Sequence, residues 1–562
     1  MTDRIDRRSF LAKGAATGAG IAVVGTSGGL LAACSSGSSS GSGSGSGSTG
    51  SHPNGVSTAT PKKGGTLIFG VDAEEKGFST TQGTFDEVGI MYARTVFDPL
   101  MILSASGTPQ PYLAQSVTPN SDYTVWTITM RPNVVFHNGA PCDAQAVATN
   151  FNLHKSSTLT GPALTTVASI TVTSPLVVTV TMKSPWVPFN YYLTGGIGGQ
   201  FAFVAEPNWL ASQSQTNPVG TGPFVFESWN PNDHFTATKN PHYWRSGYPY
   251  LDTITYKPIT DPDQMLTSLQ SGAIDIMHSD TPEVISQLRS DTSLGYIDDS
   301  KNVAGEPDMG CILLNLSKAP FNNLKLRQAM AYAVSSAQYV AVIDKGVNGT
   351  SNGPFVTDSP YYVADNNYPE YSVSKAKSLV NQVAQETGQP VSVTLNHVPD
   401  ASTTRIAEYL QQQLETVGMK VTLAPVQQAD IINTALLGSF EAQVWRQFGA
   451  VDPDLNYIFW SPTNANTPLF SINMARNTDP DMQTALLKGR QSASQSDRTA
   501  AYQEVNKLMG KDIPYVWFDR STWAVASQAK VQNFANPSTP AGGKVFPLIG
   551  GSIWPTQIWL NS

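Results

Sequence analysis

Cysteine is scarce and scattered in this chain of 562 residues: Cys34, Cys142 and Cys311 are all there is. Three are too few for a disulfide framework and too dispersed for a metal site. Cys142 and Cys311 read as two separate half-buried thiols, with an exported disulfide as the alternative. Charge is thin as well. Asp, Glu, Lys and Arg make up 14% of the residues, against about 25% in an average soluble domain, so uncharged polar groups wet the surface. Net charge is −8 and no Lys/Arg cluster follows Lys13; without a basic stripe a polyanion has nothing to grip, which excludes nucleic acid as a partner. The chain also has no His-Glu-x-x-His and no phosphate loop closing on Gly-Lys-Ser/Thr, and none of its 7 histidines pairs at ligand spacing. No enzymatic activity, cofactor or metal is expected. An exported hydrolase with triad members distant in sequence, or a structural or adhesive lipoprotein, remains as the alternative.

What is present begins with an address. Arg4, Arg7, Arg8 and Lys13 stand against Asp3 and Asp6, and an uncharged stretch from Gly14 to Ala33 follows, the order of an export signal. Asp6-Arg7-Arg8-Ser9-Phe10-Leu11-Ala12-Lys13 resembles a twin-arginine signal, with Arg7 and Arg8 as its pair. Five glycines between Ala15 and Ala33 make the segment a poor permanent span. Leu31-Ala32-Ala33-Cys34 looks like a lipobox, so 1–33 is expected to be removed and Cys34 to carry the lipid anchor. Two acyl chains at ~0.8 kcal/mol per buried methylene hold firmly to a membrane. The segment 34–60 is Gly/Ser-rich and has nothing to bury; ~26 such residues reach about 28 Å. The body is therefore expected outside the cytoplasm, tethered to the cell membrane.

From Gly65 the texture changes. Thr66–Val71 reads as a strand, Tyr123–Met130 alternates, and Ile170 to Met182 reads as a hairpin around Ser174-Pro175. Asp261, Pro262 and Gln264, with apolar Met265, Leu266 and Leu269 and a stop at Gly272, sign a helix between two strands. Later the chain alternates regularly: strand Val391–Leu395, helix Ser402–Val417, strand Met419–Leu423, helix Ala429–Leu437 and strand Glu441–Trp445. Short loops between such elements imply parallel crossovers. Helices over Asp481–Ala493 and Asp497–Met509 precede a last strand at Tyr515–Phe518. The fold class is α/β, and a cleft between two α/β lobes is a common place for a pocket.

Several separated strings carry a resemblance. They are Phe97-Asp98-Pro99-Leu100; Pro111-Tyr112-Leu113-Ala114; the run from Trp126 through Arg131 and Phe136-His137-Asn138-Gly139; Gly220-Thr221-Gly222-Pro223-Phe224; Asn240-Pro241-His242-Tyr243-Trp244; Leu269-Gln270-Ser271-Gly272-Ala273-Ile274-Asp275; and Leu314-Asn315-Leu316-Ser317-Lys318-Ala319-Pro320-Phe321, followed by Arg327 to Ala333. Their order and spacing are similar to those of bacterial extracellular solute-binding proteins of the oligopeptide/nickel type, family 5, the receptors of ABC importers. The resemblance covers nearly all of 62–562. It implies a two-lobed, type II periplasmic-binding-protein-like fold with an inserted domain: lobe I from 61–102, 217–309 and 525–562, the insert at 103–216, and lobe II at 310–524. It also implies a monomer that closes on a small hydrophilic solute, a peptide, glycan fragment or metal chelate, and delivers it to the permease subunits of an ABC importer.

For the site, the resemblance points to the loop after Trp445. Relatives that bind peptides place an aspartate there for the ligand's amino end, and its position falls here at about Gly449. Asp452 and Asp454 are the candidate substitutes, although Asp beside Pro is more often a turn or cap. Trp445, Phe448, Tyr457 and Trp460 offer faces for stacking, Gln447 and Asn315 offer polar contacts, and His137 is expected to be structural.

Overall fold

The computed structural model describes residues 55–561 apart from 84, 197, 302–304 and 466–469. Arg7, Arg8, Cys34, the signal segment and the Gly/Ser tract to residue 54 lie outside the described residues. Gly50–Ser562 forms one compact unit. No helix of the described residues is long and apolar enough to cross a membrane.

Three larger sheets, beside two of two strands each, organise the described residues. The largest has seven strands in the order Gly295–Asp298, Ala524–Ser527, Ile276–Ser279, Thr66–Val71, Thr253–Pro258, His234–Lys239, Phe224–Asn230. Thr66–Val71 sits inside it, parallel to both neighbours, and buries Leu67, Phe69 and Val71 almost completely. The helix signed by Asp261 spans Pro262–Gln270; Asp261 accepts the amide of Gln264 at 2.8 Å, and Gly272 takes the left-handed stop at φ +76°. It links two strands that both run parallel to Thr66–Val71, as a crossover must. Gly70 makes that packing possible, since a Cβ there would stand 2.5 Å from the Ile274 side chain.

The second sheet runs Lys420–Pro425, Ser392–His397, Ala442–Gln447, Met309–Leu314, Tyr515–Arg520. Its first three strands are parallel, as the helices between them require. The last two join antiparallel. Met309–Leu314 is buried at every position. The third sheet is antiparallel, with four strands, Ala114–Pro119, Val125–Met130, Val177–Met182 and Val167–Ser174. Trp126, Ile128 and Met130 face its core, in line with the alternation of the sequence.

Strings distant in sequence meet at one buried carboxylate. Asp98 accepts from Thr221 Oγ1 at 3.0 Å, the Tyr243 hydroxyl at 3.0 Å and Trp244 Nε1 at 2.8 Å. Burial raises it to about 6 despite these donors. His137 ties the next two strings together: it takes the Gly220 amide on Nδ1 and its Nε2 lies 3.1 Å from the Gly222 carbonyl. Burial lowers it to about 4, so it stays neutral. Cys142 and Cys311 are free and fully buried, not half-buried, and burial holds both thiols well above their usual range.

The chain passes between the first and second sheets twice, at 299–308 and at 521–523. The two crossings are stitched together. Asp299 accepts the Trp523 amide at 2.8 Å, Asp308 accepts its indole Nε1 at 2.9 Å, and Ser521 donates its amide to the Asp308 carbonyl at 2.9 Å.

Candidate functional site

Beside these crossings lies a cavity of about 870 Å³, mouth included, walled by segments distant in sequence. The helix Glu87–Val96 contributes Glu87, Ile90 and Arg94; the first crossing contributes Asp299, Glu306 and Asp308; the loop after Ala442–Gln447 contributes Gly449 to Val451; and the C-terminal segment contributes Leu548, Gly550 and Trp554. Asp86 fixes the start of this helix by accepting the amides of Val88 and Gly89 at 2.9 and 3.1 Å. Every residue from Val88 to Val96 is buried.

The electrostatics are unusual for so apolar a wall. Burial, then the nearness of Asp308 and Asp86, holds Glu87 well above the usual carboxylate range. Asp308 is raised by burial, and Asp299 is pushed up to about 8, chiefly by burial. Arg94, 3% exposed, is lowered to about 9 by the same cause. Its guanidinium lies 4.3 Å from the centre of the Trp554 ring, yet Nε and Nη1 have no hydrogen-bond partner, and neither has Oε1 of Glu87. A second, apolar cavity of about 610 Å³ adjoins the same segments: Gly196 and Gly449 border the first cavity, Gly198 and Phe448 the second. Trp445, Phe459 and Met474 complete its lining.

The residues expected from sequence divide accordingly. Trp445 and Phe448 are half-buried and line the second cavity, their rings edge to face at 6.4 Å. Neither Asp452 nor Asp454 borders either cavity. Asp452 caps the turn Pro453–Asn456 and pairs with Arg498 at 2.6 Å. Asp454, fully buried, pairs with Arg490 at 2.9 Å and accepts Trp186 Nε1 at 2.9 Å and the Tyr502 hydroxyl at 3.4 Å; the Tyr192 hydroxyl donates to its carbonyl. Tyr457 is packed beneath the Arg490 guanidinium at 3.5 Å, and its hydroxyl accepts from Gln483 at 2.8 Å. Trp460 is 2% exposed. Gln447 donates to Asn456 Oδ1 at 3.0 Å. Asn315 donates to the carbonyls of Gly438 and Phe440 and accepts from Ser317, so it holds a turn. These side chains do not meet around one cavity.

Gly449 also explains the missing aspartate. Its Cβ would stand 2.5 Å from the Glu306 carbonyl and 3.0 Å from the Asp308 amide nitrogen, so the first crossing occupies the space a side chain would need. The Gly449 amide donates to the Asp308 carboxylate instead. Among the described residues, Gly349-Thr350-Ser351-Asn352-Gly353 has the spacing of a serine-hydrolase elbow, but it is bound up in its own loop: Ser351 Oγ is buried and donates to the Gly353 carbonyl at 3.2 Å.

The family model described as bacterial extracellular solute-binding proteins, family 5 Middle, matches residues 108–468. The chain belongs to this family. It is a solute-binding protein of the ABC-importer class, and its α/β fold is the two-lobed type II architecture. Among similar family 5 relatives, the glutathione-binding protein GsiB of Salmonella paratyphi A is 26% identical over 77% of this chain and 84% of its own. The nickel-binding periplasmic protein of Escherichia coli K12 is 25% identical over 79% and 87%. In structure, the periplasmic binding protein DppA of Helicobacter pylori, solved with the peptide STSA, superposes with a TM-score of 0.77 at 22% identity, covering 89% of this chain and 99% of that one.

Glu87, Arg94, Asp299 and Asp308 escaped the sequence reading. A signal was available for the first two: they stand seven residues apart, on one face of a helix whose other positions are mostly apolar.

Proposed function

We propose that this chain is the solute receptor of an ABC importer, binding a small hydrophilic solute, a peptide first among the candidates, in the cavity beside the two crossings. The observation that carries the reading is the cavity's makeup: its walls come from the helix Glu87–Val96, the first crossing, the loop after Ala442–Gln447 and the C-terminal segment, and its Asp308 is bonded to Trp523 of the second crossing. In this reading 61–102, 217–309 and 525–562 move as lobe I with the insert 103–216, and 310–524 as lobe II. The crossings are the hinge, and solute touching both sides stabilises the closed form by its differential affinity. The permease subunits read that form.

The receptor acts as a monomer outside the cytoplasm, exported through Arg7 and Arg8 and held to the membrane by lipid on Cys34. Trp445 and Phe448 are the contacts retained from the sequence reading. Native mass spectrometry of protein purified without added ligand tests the reading: retained solute supports it, and a protein that binds none of a broad panel of peptides, glycans and chelates removes it. Cys34→Ala should release the protein from membranes with solute capture intact; retention on membranes would refute the lipid anchor.

A further inference from the structure

Buried charges without partners are costly, and proteins keep them where something else completes them. The larger cavity is lined by one basic and one acidic group with buried atoms left unpartnered. Arg94 is 3% exposed, lines the cavity, and leaves Nε and Nη1 without an acceptor. Glu87, on the same helix, hydrogen-bonds the Asp308 carboxyl and leaves its Oε1 without a donor. Seven residues at 1.5 Å each separate the roots of these side chains by about 10 Å along the axis, within reach of one short solute. The acidic end is reinforced from the first crossing. Glu87 and Asp308 flank Gly550, whose absent Cβ would lie 3.3 Å from Glu87 Cγ and 3.7 Å from Asp308 Oδ2. Asp308 itself is oriented by the Trp523 indole and the Gly449 amide. Among the described residues no group of three or more His, Cys, Asp or Glu is set to hold a metal ion, which favours an ammonium group over a metal at this end. Beyond Gly449 the wall turns apolar at Phe448 and Trp445.

We propose that the cavity takes a short zwitterionic solute bearing one apolar substituent: its anionic group sits on Arg94, its cationic group on the Glu87 and Asp308 carboxylates, and its apolar part in the neighbouring recess against Trp445 and Phe448. This deepens the solute-receptor reading and rests on it. The carboxylate that receives the cation comes from the helix and the crossing, because the backbone at 306–308 closes the space beside Gly449. An anionic group on Arg94 supplies the acceptor its guanidinium lacks, and an ammonium group supplies the donor that Glu87 lacks.

The test uses the full chain and a casein hydrolysate as probe, with the captured solute released by denaturation and identified by mass. The expected catch carries a free amine and a free carboxylate. By calorimetry, its N-acetyl and C-amide forms bind the unaltered protein at least about tenfold more weakly, the scale of losing one partner of a buried charge pair. In Arg94→Gln the penalty for amidation disappears and that for acetylation stays; in Glu87→Gln the reverse holds. The capped ligands need no variant, so they decide the matter even if a substitution impairs folding. A catch lacking either charge, or capped forms that bind as tightly as the free one, overturns the inference. A glycan panel run in parallel separates the two claims: capture of a neutral sugar alone overturns the zwitterion and leaves the receptor standing, whereas capture of nothing from either probe removes both.

Discussion

The surroundings of Asp454 and those of Arg94 are both buried and both charged, and they are built in opposite ways. Around Asp454 each carboxylate oxygen has donors: Arg490, Tyr502 and Trp186 converge on it, and the arginine is sheltered by the rings of Tyr457 and Trp186 at 3.5 and 4.6 Å. Around Arg94 the ring is present, in Trp554, and the carboxylate is absent. The first arrangement sets the arginine against a carboxylate within the protein, with Arg490 Nη1 left as its one atom without a hydrogen-bond partner, and fastens the segment around Trp186 to the loop after Trp445. The second is open, and it faces a cavity. A buried charge thus reports its role through the counter-charge it has or lacks more than through its own sign.

Four measurements sharpen or break this contrast. The largest effect belongs to the closed set. Asp454→Ala leaves Arg490 buried and uncompensated, and urea denaturation should show a loss of about 3–5 kcal/mol; unchanged stability would mean that the pair is not holding the two segments. Next comes Trp445→Ala, at the open end. Affinity for the captured solute, by calorimetry, should fall on the order of tenfold or more while the melting temperature of the ligand-free protein stays within a few degrees; a large melting loss would assign this indole to the core.

The third concerns pH. Asp299 is raised to about 8 in the folded state from an unfolded value near 3.9, so the folded protein binds the extra proton between those limits. The contribution of this group to stability is therefore full below about pH 4 and falls as pH rises towards 8, by at most about 1.4 kcal/mol per unit. Asp299→Asn keeps an acceptor for the Trp523 amide and should flatten that decline in a melting series from pH 5 to 8; an unchanged slope would exclude Asp299 as its source. The smallest effect is the control. Lys325 pairs with Glu386 on the surface, each about half exposed, and Lys325→Ala should shift stability by less than about 0.5 kcal/mol.

The elements were largely legible because their signals are local. The Asp261 cap, the hairpin around Ser174-Pro175 and the crossovers from 391 to 445 fall within a residue or two of where periodicity and capping put them. The site was less legible because its parts converge from four segments. Asp452 and Asp454 drew attention by standing where a ligand aspartate is expected, and nothing local announces that Arg498 and Arg490, more than thirty residues later, take them up. Glu87 and Arg94 look like ordinary helix charges until Val88 to Val96 are seen to be buried. Trp445 was expected as a stacking face at the end of a strand Glu441–Trp445; it is half-buried, and the strand runs two residues further, to Gln447.

Trp523 gives the crossings a consequence of their own. With its amide on one aspartate and its indole on another, it rivets two peptide tethers into a single ribbon. Under the closure proposed above, such a ribbon bends about its width and resists sliding along it, so the lobes should swing like a book on its spine, with little shear. Asp308 belongs to that spine and to the cavity wall at once, which puts an occupant of the cavity in direct touch with the axis it must turn.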